Sequence, residues 1–207
     1  MESKIFDTIT LEMPVEHIYS RLGYARGKTK VTKSQEEELI RFFREAQEFL
    51  KLQGASARLA VIAKDAEKVT LENNIVFKSI SLAQLLRDCD EVFFLGATAG
   101  MKIHEFIRDN SKEGDMTKAV VFDAVASECV DKALDWMMEY FYAQLRRENK
   151  AFTRFRFSAG YADFSLENQR IFFDTLQLAR FGVRLTATSM FVPEKTVTAL
   201  VGVKKLQ

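Results

Sequence analysis

Six consecutive residues in the C-terminal third of the chain combine side chains that could bind a small zwitterionic ligand. Arg156 can bind a carboxylate through two parallel hydrogen bonds, because its guanidinium presents donors in a planar fork. Gly160 lets the backbone approach a ligand closely, and Tyr161 offers a flat π-face to an apolar ring or a cation. Residues 156–161 are therefore predicted to form a binding loop for a small molecule.

A charge of the opposite sign lies in a different part of the chain. Asp131 falls at the margin of the apolar stripe of a long helical pattern, with Glu128 and Asp135 near it on the polar side. At the rim of the domain its carboxylate could reach an ammonium group. A carboxylate in such a position is usually solvated, and the spacing alone favours that alternative.

Two further patterns have simpler interpretations. Residues 96–100, Gly-Ala-Thr-Ala-Gly, match neither the dinucleotide fingerprint nor the Lys-containing phosphate loop, so a tight turn between a strand and a helix is favoured over a phosphate site. Arg154 and Arg156 alternate with aromatic residues, as in some RNA-binding strands. The glycine-rich consensus of such strands is missing, which favours an edge strand with solvated arginines and leaves RNA binding as the alternative.

The composition restricts the class of protein. The 207 residues are 47% hydrophobic and carry a formal net charge of +1, which supports a globular core and gives no overall field toward nucleic acid or an anionic membrane. No signal peptide is expected from the N-terminal pattern, and no apolar run approaches the roughly 20 residues that span a bilayer. Two thiols, Cys89 and Cys129, make no disulfide framework. A cytoplasmic protein without partners among nucleic acids or membranes is expected.

The sequence predicts neither a metal site nor a catalytic residue. His17 and His104 have no Cys or acidic partner at metal-ligand spacing, and the two cysteines lie too far apart for a metal-ligand motif. No serine or cysteine stands in a nucleophile elbow. Hydrolytic chemistry is therefore not expected.

Hydrophobic periodicity gives the elements that must position the candidate residues. Helices are predicted for residues 14–21, 34–53 with Ser34 as N-cap, 81–87 with Ser81 as N-cap, 115–147, and 166–180 with Gly182 ending the helix. Strands are predicted for residues 4–11, 59–63, 74–78, 91–95, 152–158, 183–190 and 196–203. The irregular mixture predicts an α+β fold: a single domain, residues 1–207, with a twisted, mainly antiparallel sheet flanked by helices and one long central helix.

The loop and its continuation resemble a known family. An Arg-x-x-x-Gly-Tyr loop, here Arg156 to Tyr161, is similar to that of the activation domain of cobalamin-dependent methionine synthase. Freestanding members of that family continue in a pattern matched by six residues, Gly160, Tyr161, Asp163, Phe164, Leu166 and Gln169. The resemblance covers most of the chain beyond about residue 35, while residues 1–33 match only loosely.

The resemblance implies a function, cofactors and partners. The domain would bind S-adenosylmethionine and present it to cob(II)alamin, the oxidised dead-end form of a partner's cobalamin. An electron from a flavodoxin-like donor would then allow methyl transfer and reactivation of the enzyme. The 207 residues have no room for the folate, homocysteine and cobalamin modules, so the chain is expected to be a subunit that acts in trans on a separate cobalamin-binding subunit of methionine synthase, rather than a complete methyltransferase.

The same resemblance implies the site residues. Arg156 would pair with the methionine carboxylate, the backbone around Ser158 and Gly160 would contact the nucleoside, Tyr161 would lie near the sulfonium and the corrin ring, and Asp131 would pair with the amino group.

Three residues depart from the family pattern. Ala159 replaces a proline, Asp131 is shorter than the usual glutamate, and Ala187 replaces a glutamate. The chain also ends at Gln207, before a ligand-contacting tyrosine pair of the full-length enzymes. These departures motivate an alternative, a non-enzymatic domain that caps or escorts a cobalamin protein without using S-adenosylmethionine.

Overall fold

The computed structural model describes residues 2–25, 28–30 and 32–206. Its helices are α1 Val15–Arg21, α2 Lys33–Phe49, α3 Ile80–Leu85, α4 Met101–Glu113, α5 Met116–Arg147 and α6 Gln169–Thr175. Its strands are β1 Glu2–Phe6, β2 Gln53–Lys64, β3 Lys68–Leu71, β4 Ile75–Lys78, β5 Glu91–Thr98, β6 Lys150–Phe152, β7 Arg184–Leu185, β8 Phe191–Val192 and β9 Thr196–Lys205. Short 3-10 turns cover Glu72–Asn74, Leu166–Asn168 and Leu178–Phe181.

All strand pairs of the main sheet are antiparallel, in the order β4-β3-β2-β5-β9-β6. Strand β2 changes partner along one edge: its first residues pair with β1, and its last residues, from Val61, pair with β3, with an irregularity in register between Val61 and Ala63. β7 and β8 form a separate two-stranded sheet. The predicted α+β class with a mainly antiparallel sheet is confirmed.

Each face of the sheet packs against its own hydrophobic core. Side chains alternate between the two faces of a strand, so in β5 Phe93 and Leu95 enter one core while Val92 and Phe94 enter the other. The first core contains residues of α1, α2, α4 and most of the length of α5, and the second contains α3, α6 and the segment that leads into α6. The strands β5 and β9 are thus buried between two layers.

The long helix is the best predicted element. α5 has 32 residues, and Asp115 caps its first turn by accepting a hydrogen bond from the backbone N–H of Lys118 at 3.1 Å. Buried residues recur from Ala119 to Leu145, which fixes the helix against the sheet. The prediction for residues 115–147 is therefore confirmed.

Several predicted boundaries are wrong for identifiable reasons. The N-caps are Thr32 and Ser79 rather than Ser34 and Ser81, because Thr32 forms a reciprocal capping box with Gln35 and Ser79 Oγ accepts from the Leu82 N–H. The second helix ends at Phe49 rather than at Gln53, and Gln53 is instead the first residue of β2. The predicted helix at 166–180 consists of α6 between two 3-10 turns, although Gly182 ends it in the left-handed region at φ 76° as expected.

The strand predicted for residues 152–158 is also wrong. β6 ends at Phe152, and Phe157 makes a single isolated bridge to Leu200 of β9. Thr153 fills the gap, because its N–H donates to the Gly202 carbonyl at 2.8 Å and its Oγ1 accepts from the Gly202 N–H at 3.1 Å. The chain bends after this point, so Arg154 and Arg156 do not lie on a regular strand.

The small-residue segment 96–100 is strand and turn. β5 continues to Thr98, and Gly100 is the N-cap of α4 with φ 88°. Thr98 Oγ1 accepts hydrogen bonds from the Gly100 N–H at 3.2 Å and from Thr196 Oγ1 at 2.9 Å. The favoured interpretation, a tight connection between a strand and a helix, is confirmed.

Candidate functional site

A cleft of about 690 Å³ opens between the middle of α5, the segment 154–161 and the start of β9. Strand β6 pairs only with the end of β9, so residues 196–199 are left to form one wall. Of the five predicted site residues, Asp131, Arg156, Ser158 and Tyr161 line the cleft. Gly160 lies between two of these residues in the chain.

Two sets of backbone hydrogen bonds shape the loop that carries the predicted residues. The Phe157 N–H donates to the Leu200 carbonyl and the Leu200 N–H donates back, both at 2.8 Å. Beyond that bridge, the Gly160 N–H donates to the Phe164 carbonyl at 2.7 Å. Gly160 adopts φ 92°, and a Cβ at this position would lie 3.2 Å from Leu166 Cδ1, so both the backbone conformation and the available space favour glycine.

An aspartate that sequence reasoning left without a role anchors this loop. The Asp163 carboxylate accepts hydrogen bonds from Ser79 Oγ at 2.8 Å and from the Ile80 N–H at 2.5 Å, at the start of α3. The hydrogen bonds from Ser81 and Ser79 lower the pKa of Asp163 to about 2. Next to it, Phe164 is fully buried and packs edge-to-face on Phe77, with ring centroids 5.0 Å apart. The position of Asp163 within the family-like pattern was the available sign of its importance.

Arg156 is held against the long helix by an ion pair. Its Nη1 lies 2.5 Å from Asp135 Oδ1, and Lys132 Nζ lies 3.9 Å from the other oxygen of the same carboxylate. In the part of the chain that the structure describes, the remaining donors of Arg156 make no hydrogen bond, so part of the guanidinium fork is open to a ligand. Arg156 was expected to be solvated, but it is fixed at the wall of a cleft. Its partner Asp135 was missed because the sequence pattern places Asp135 on the solvated face of the helix.

Asp131 lies one helical turn before Asp135 and is half-buried in the same cleft. Among the described residues its carboxylate has neither a hydrogen-bond donor nor an ion-pair partner. Desolvation raises the pKa of Asp131, the nearby Arg156 opposes that shift, and Glu128 adds to it. A carboxylate in this condition is stabilised by any cation that enters the cleft, which differs from the solvated charge that spacing favoured.

The architecture matches that of a solved structure. The MetH reactivation domain bound to AdoHcy superposes on this chain with a TM-score of 0.66, covering 97% of this chain and 77% of that chain. The chain has the fold of the MetH reactivation domain. Sequence identity between the two is 12%. No family model matches the sequence, and no curated protein is similar enough to count as a match. The resemblance read from residues 156–169 is confirmed at the level of the fold.

On this reactivation-domain fold, some charged side chains around the cleft have ion-pair partners and others do not. Glu128, at the cleft wall, already binds Arg21 with Nε and Oε1 2.5 Å apart. Arg156 is bound on one side only, and Asp131 has no direct partner among the described residues. Among its described residues, the cleft therefore offers the partly open cation of Arg156 and the open carboxylate of Asp131 to a ligand, with Arg154 stacked on Phe155 beside them.

Aromatic side chains form the mouth of the cleft. Phe155 and Tyr161 line it and are 62% and 60% exposed. Tyr161 stands edge-on to Phe157, with centroids 6.4 Å apart, which orients its ring. The mouth can thus contact a cation or a flat apolar ring.

The described residues contain no cluster of three or more His, Cys, Asp or Glu side chains that could hold a metal ion. Nor does any described helix have the length and apolar character needed to cross a bilayer. The thiols of Cys89 and Cys129 are buried, and desolvation raises their pKa to about 11 and about 12. These thiols are therefore protonated and unreactive near neutral pH.

Proposed function

We propose that this chain binds S-adenosylmethionine in the cleft and serves as a reactivation subunit for cobalamin-dependent methionine synthase. The observation that carries the proposal is the meeting of Asp131, from α5, with Arg156, Ser158 and Tyr161, from the loop, in one cleft. The same fold binds AdoHcy in the MetH reactivation domain. A volume of about 690 Å³ lies within the range usual for small-molecule sites.

The charges of the cleft fit an amino acid end group. The open donors of Arg156 would bind the carboxylate, and Asp131 would bind the ammonium group. Both side chains line the same cleft, and Arg156 opposes the rise in the pKa of Asp131 that desolvation causes, so one α-amino acid group would contact both. Asp135 would keep the guanidinium in place during binding, because it occupies only Nη1.

The rest of the loop would hold the remainder of the ligand. Backbone groups around Ser158 and Gly160 would contact the nucleoside, and the π-face of Tyr161 would lie near the sulfonium. The exposed rings of Phe155 and Tyr161 would also face the corrin of a docked partner.

The cobalamin of a partner would supply the methyl-transfer chemistry, with one electron from a flavodoxin-like donor and S-adenosylhomocysteine as the product released from the cleft. The chain would orient the sulfonium toward the cobalt and keep water from the reacting groups. We propose that the cobalamin is carried by a separate subunit, so that the methyl transfer occurs in trans, in the cytoplasm.

Calorimetric titration with S-adenosylmethionine and S-adenosylhomocysteine tests the ligand. We expect saturable binding to the unmodified chain and roughly 10- to 100-fold weaker binding to Arg156→Ala, because a charge-assisted hydrogen-bonded pair is lost. The control is Arg180→Ala, which removes an exposed arginine outside the cleft. Equal affinity of the two variants would remove Arg156 from the site.

The second candidate is a cap or escort domain that does not use S-adenosylmethionine. It is favoured by the engagement of Arg156 with Asp135 and by Ala187, which replaces the family's glutamate in the exposed turn between β7 and β8. The two candidates differ when the chain is mixed with a cobalamin-binding subunit held as cob(II)alamin. The first predicts methylcobalamin only with ligand and reductant; the second predicts association that is indifferent to S-adenosylmethionine.

A further inference from the structure

The cleft contains a buried hydrogen-bond acceptor without a donor. Gln169 is the first residue of α6 and lines the cleft, and its Oε1 is buried without a hydrogen-bond partner among the described residues. The large majority of buried polar atoms in proteins are hydrogen-bonded, because desolvating them without compensation is costly. An acceptor left open at this place therefore requires an explanation.

The neighbouring groups in the cleft do not provide the missing donor. Arg156 directs Nη1 to Asp135. Lys132 is oriented toward Asp135 and Glu139, at 3.9 Å from each. Arg154 lies over the Phe155 ring, 5.1 Å from its centroid, and makes no hydrogen bond to Gln169; Arg21, outside the cleft lining, is bound to Glu128. Asp131 also lacks a direct partner among the described residues, so the cleft presents a carboxylate and an amide oxygen that can accept hydrogen bonds from a ligand.

We infer that Gln169 contacts the ligand directly, accepting a hydrogen bond from a hydroxyl or amino group of the nucleoside. This inference rests on the proposed function. Since Asp131 carries a full charge, it is the better partner for the ammonium group. Gln169, a neutral acceptor, is suited to the uncharged O–H and N–H groups of ribose and adenine.

The stability of the free protein supplies the first test. Gln169→Met keeps the approximate length of the side chain and removes the amide, so the unsatisfied oxygen disappears. We expect the melting temperature of the ligand-free protein to rise by roughly 2–6 °C. The matched control is Gln84→Met on the exposed face of α3, which should leave the melting temperature unchanged.

Ligand affinity supplies the second test, with S-adenosylhomocysteine and adenosine as probes. Gln169→Met should weaken both about tenfold, since each carries the nucleoside donors. Asp131→Asn should weaken S-adenosylhomocysteine and leave adenosine unchanged. This contrast assigns Gln169 to the nucleoside and Asp131 to the amino acid end.

The outcomes separate the inference from the proposed function. A lower melting temperature for Gln169→Met would mean that its amide is already satisfied in the free protein, and would overturn the inference. Unchanged affinity of Gln169→Met for both probes, with the unmodified chain binding S-adenosylhomocysteine, would overturn the inference and leave the proposed function standing. Failure of the unmodified chain to bind S-adenosylhomocysteine would overturn both.

Discussion

At the scale of single residues, the candidate site is defined by how completely each charge is paired. Arg156 shares Asp135 with Lys132, whereas Asp131 has a raised pKa and no direct partner in the described part of the chain. A site with an open carboxylate and a partly open guanidinium would favour zwitterionic ligands. The titration of Asp131 makes this property measurable.

Ligand binding should depend on pH through Asp131. Its folded-state pKa is raised, so charged Asp131 destabilises the free protein above that pKa, and the penalty disappears as the pH falls through it toward the ordinary value of 3.8. A ligand ammonium requires the carboxylate form. Affinity for S-adenosylhomocysteine should therefore fall as the pH is lowered from 7 into the raised titration range of Asp131.

Calorimetry across that range measures the effect, with Asp131→Asn as the control. The variant should bind more weakly at pH 7, show little pH dependence, and have a higher melting temperature than the unmodified protein when ligand-free. A pH profile of Asp131→Asn that parallels that of the unmodified chain would assign the titration to another group.

At the scale of elements, the loop depends on its attachment to α3. Asp163 accepts hydrogen bonds from Ser79 and Ile80, and the hydrogen bonds from Ser81 and Ser79 hold its pKa at about 2. Asp163→Ala should lower the melting temperature at pH 7 and weaken ligand binding, because the loop loses its anchor.

The pH dependence of this contribution has the opposite sign to that of Asp131. A depressed folded pKa contributes stability that is present above about pH 4 and lost as the pH falls through about 2. Melting curves of the unmodified chain and Asp163→Ala should accordingly converge at the acid end. Curves that stay parallel from pH 7 to pH 2 would show that the anchor does not depend on the charge.

Gly54 fixes the distance between β2 and its neighbours. A Cβ at this residue would lie 2.3 Å from Met137 Cε and 2.6 Å from the Gly96 carbonyl oxygen. The methionine can move, but the backbone carbonyl of β5 cannot without disturbing the sheet. Gly54→Ala should therefore cost about 1–3 kcal/mol in the free energy of unfolding, measured by urea denaturation. An unchanged midpoint would mean that β2 and β5 can separate freely here.

These elements were predictable to different degrees. The spacing of apolar residues over 32 positions specified α5 almost to the residue. β2 was predicted only for residues 59–63, because Gly54 to Ala57 are small residues with weak strand preference, and their position is set by tertiary packing. The helix caps were missed by two residues, since nearby hydroxyls compete and only the folded geometry selects Thr32 and Ser79.

The candidate site was predictable where one stretch of chain contains it. Arg156, Ser158, Gly160 and Tyr161 lie within six positions and were found from residue types and the family resemblance. The pairing of Arg156 with Asp135 joins the loop to a helix 21 residues earlier, and no local pattern encodes such a contact. The anchoring of Asp163 to α3 spans 84 residues and was missed for the same reason.

At the scale of the whole molecule, the cleft exposes aromatic side chains that the proposed function places against a partner. Phe155, 62% exposed, should contribute to docking with a cobalamin-binding subunit while contributing little to folding. Phe155→Ser should weaken that association about tenfold and shift the free energy of unfolding by no more than about 0.5 kcal/mol. Association is measured by analytical ultracentrifugation of the mixed proteins.

The control for this variant is Tyr142→Ser, which removes another aromatic side chain, 57% exposed, outside the cleft. It should leave the association unchanged. Equal weakening by both variants would indicate a general effect on solubility rather than a docking surface at the cleft.

The binding loop is interleaved with the second core. Arg156, Ser158 and Tyr161 line the cleft, while Phe157 packs against the core between them and Phe164 is buried within it. Substitutions that alter ligand contacts would therefore also disturb folding, and substitutions in this part of the core would also alter the ligand contacts. We expect the sequence of this short stretch to change more slowly than that of its surroundings, because each of its residues is constrained by either the cleft or the core.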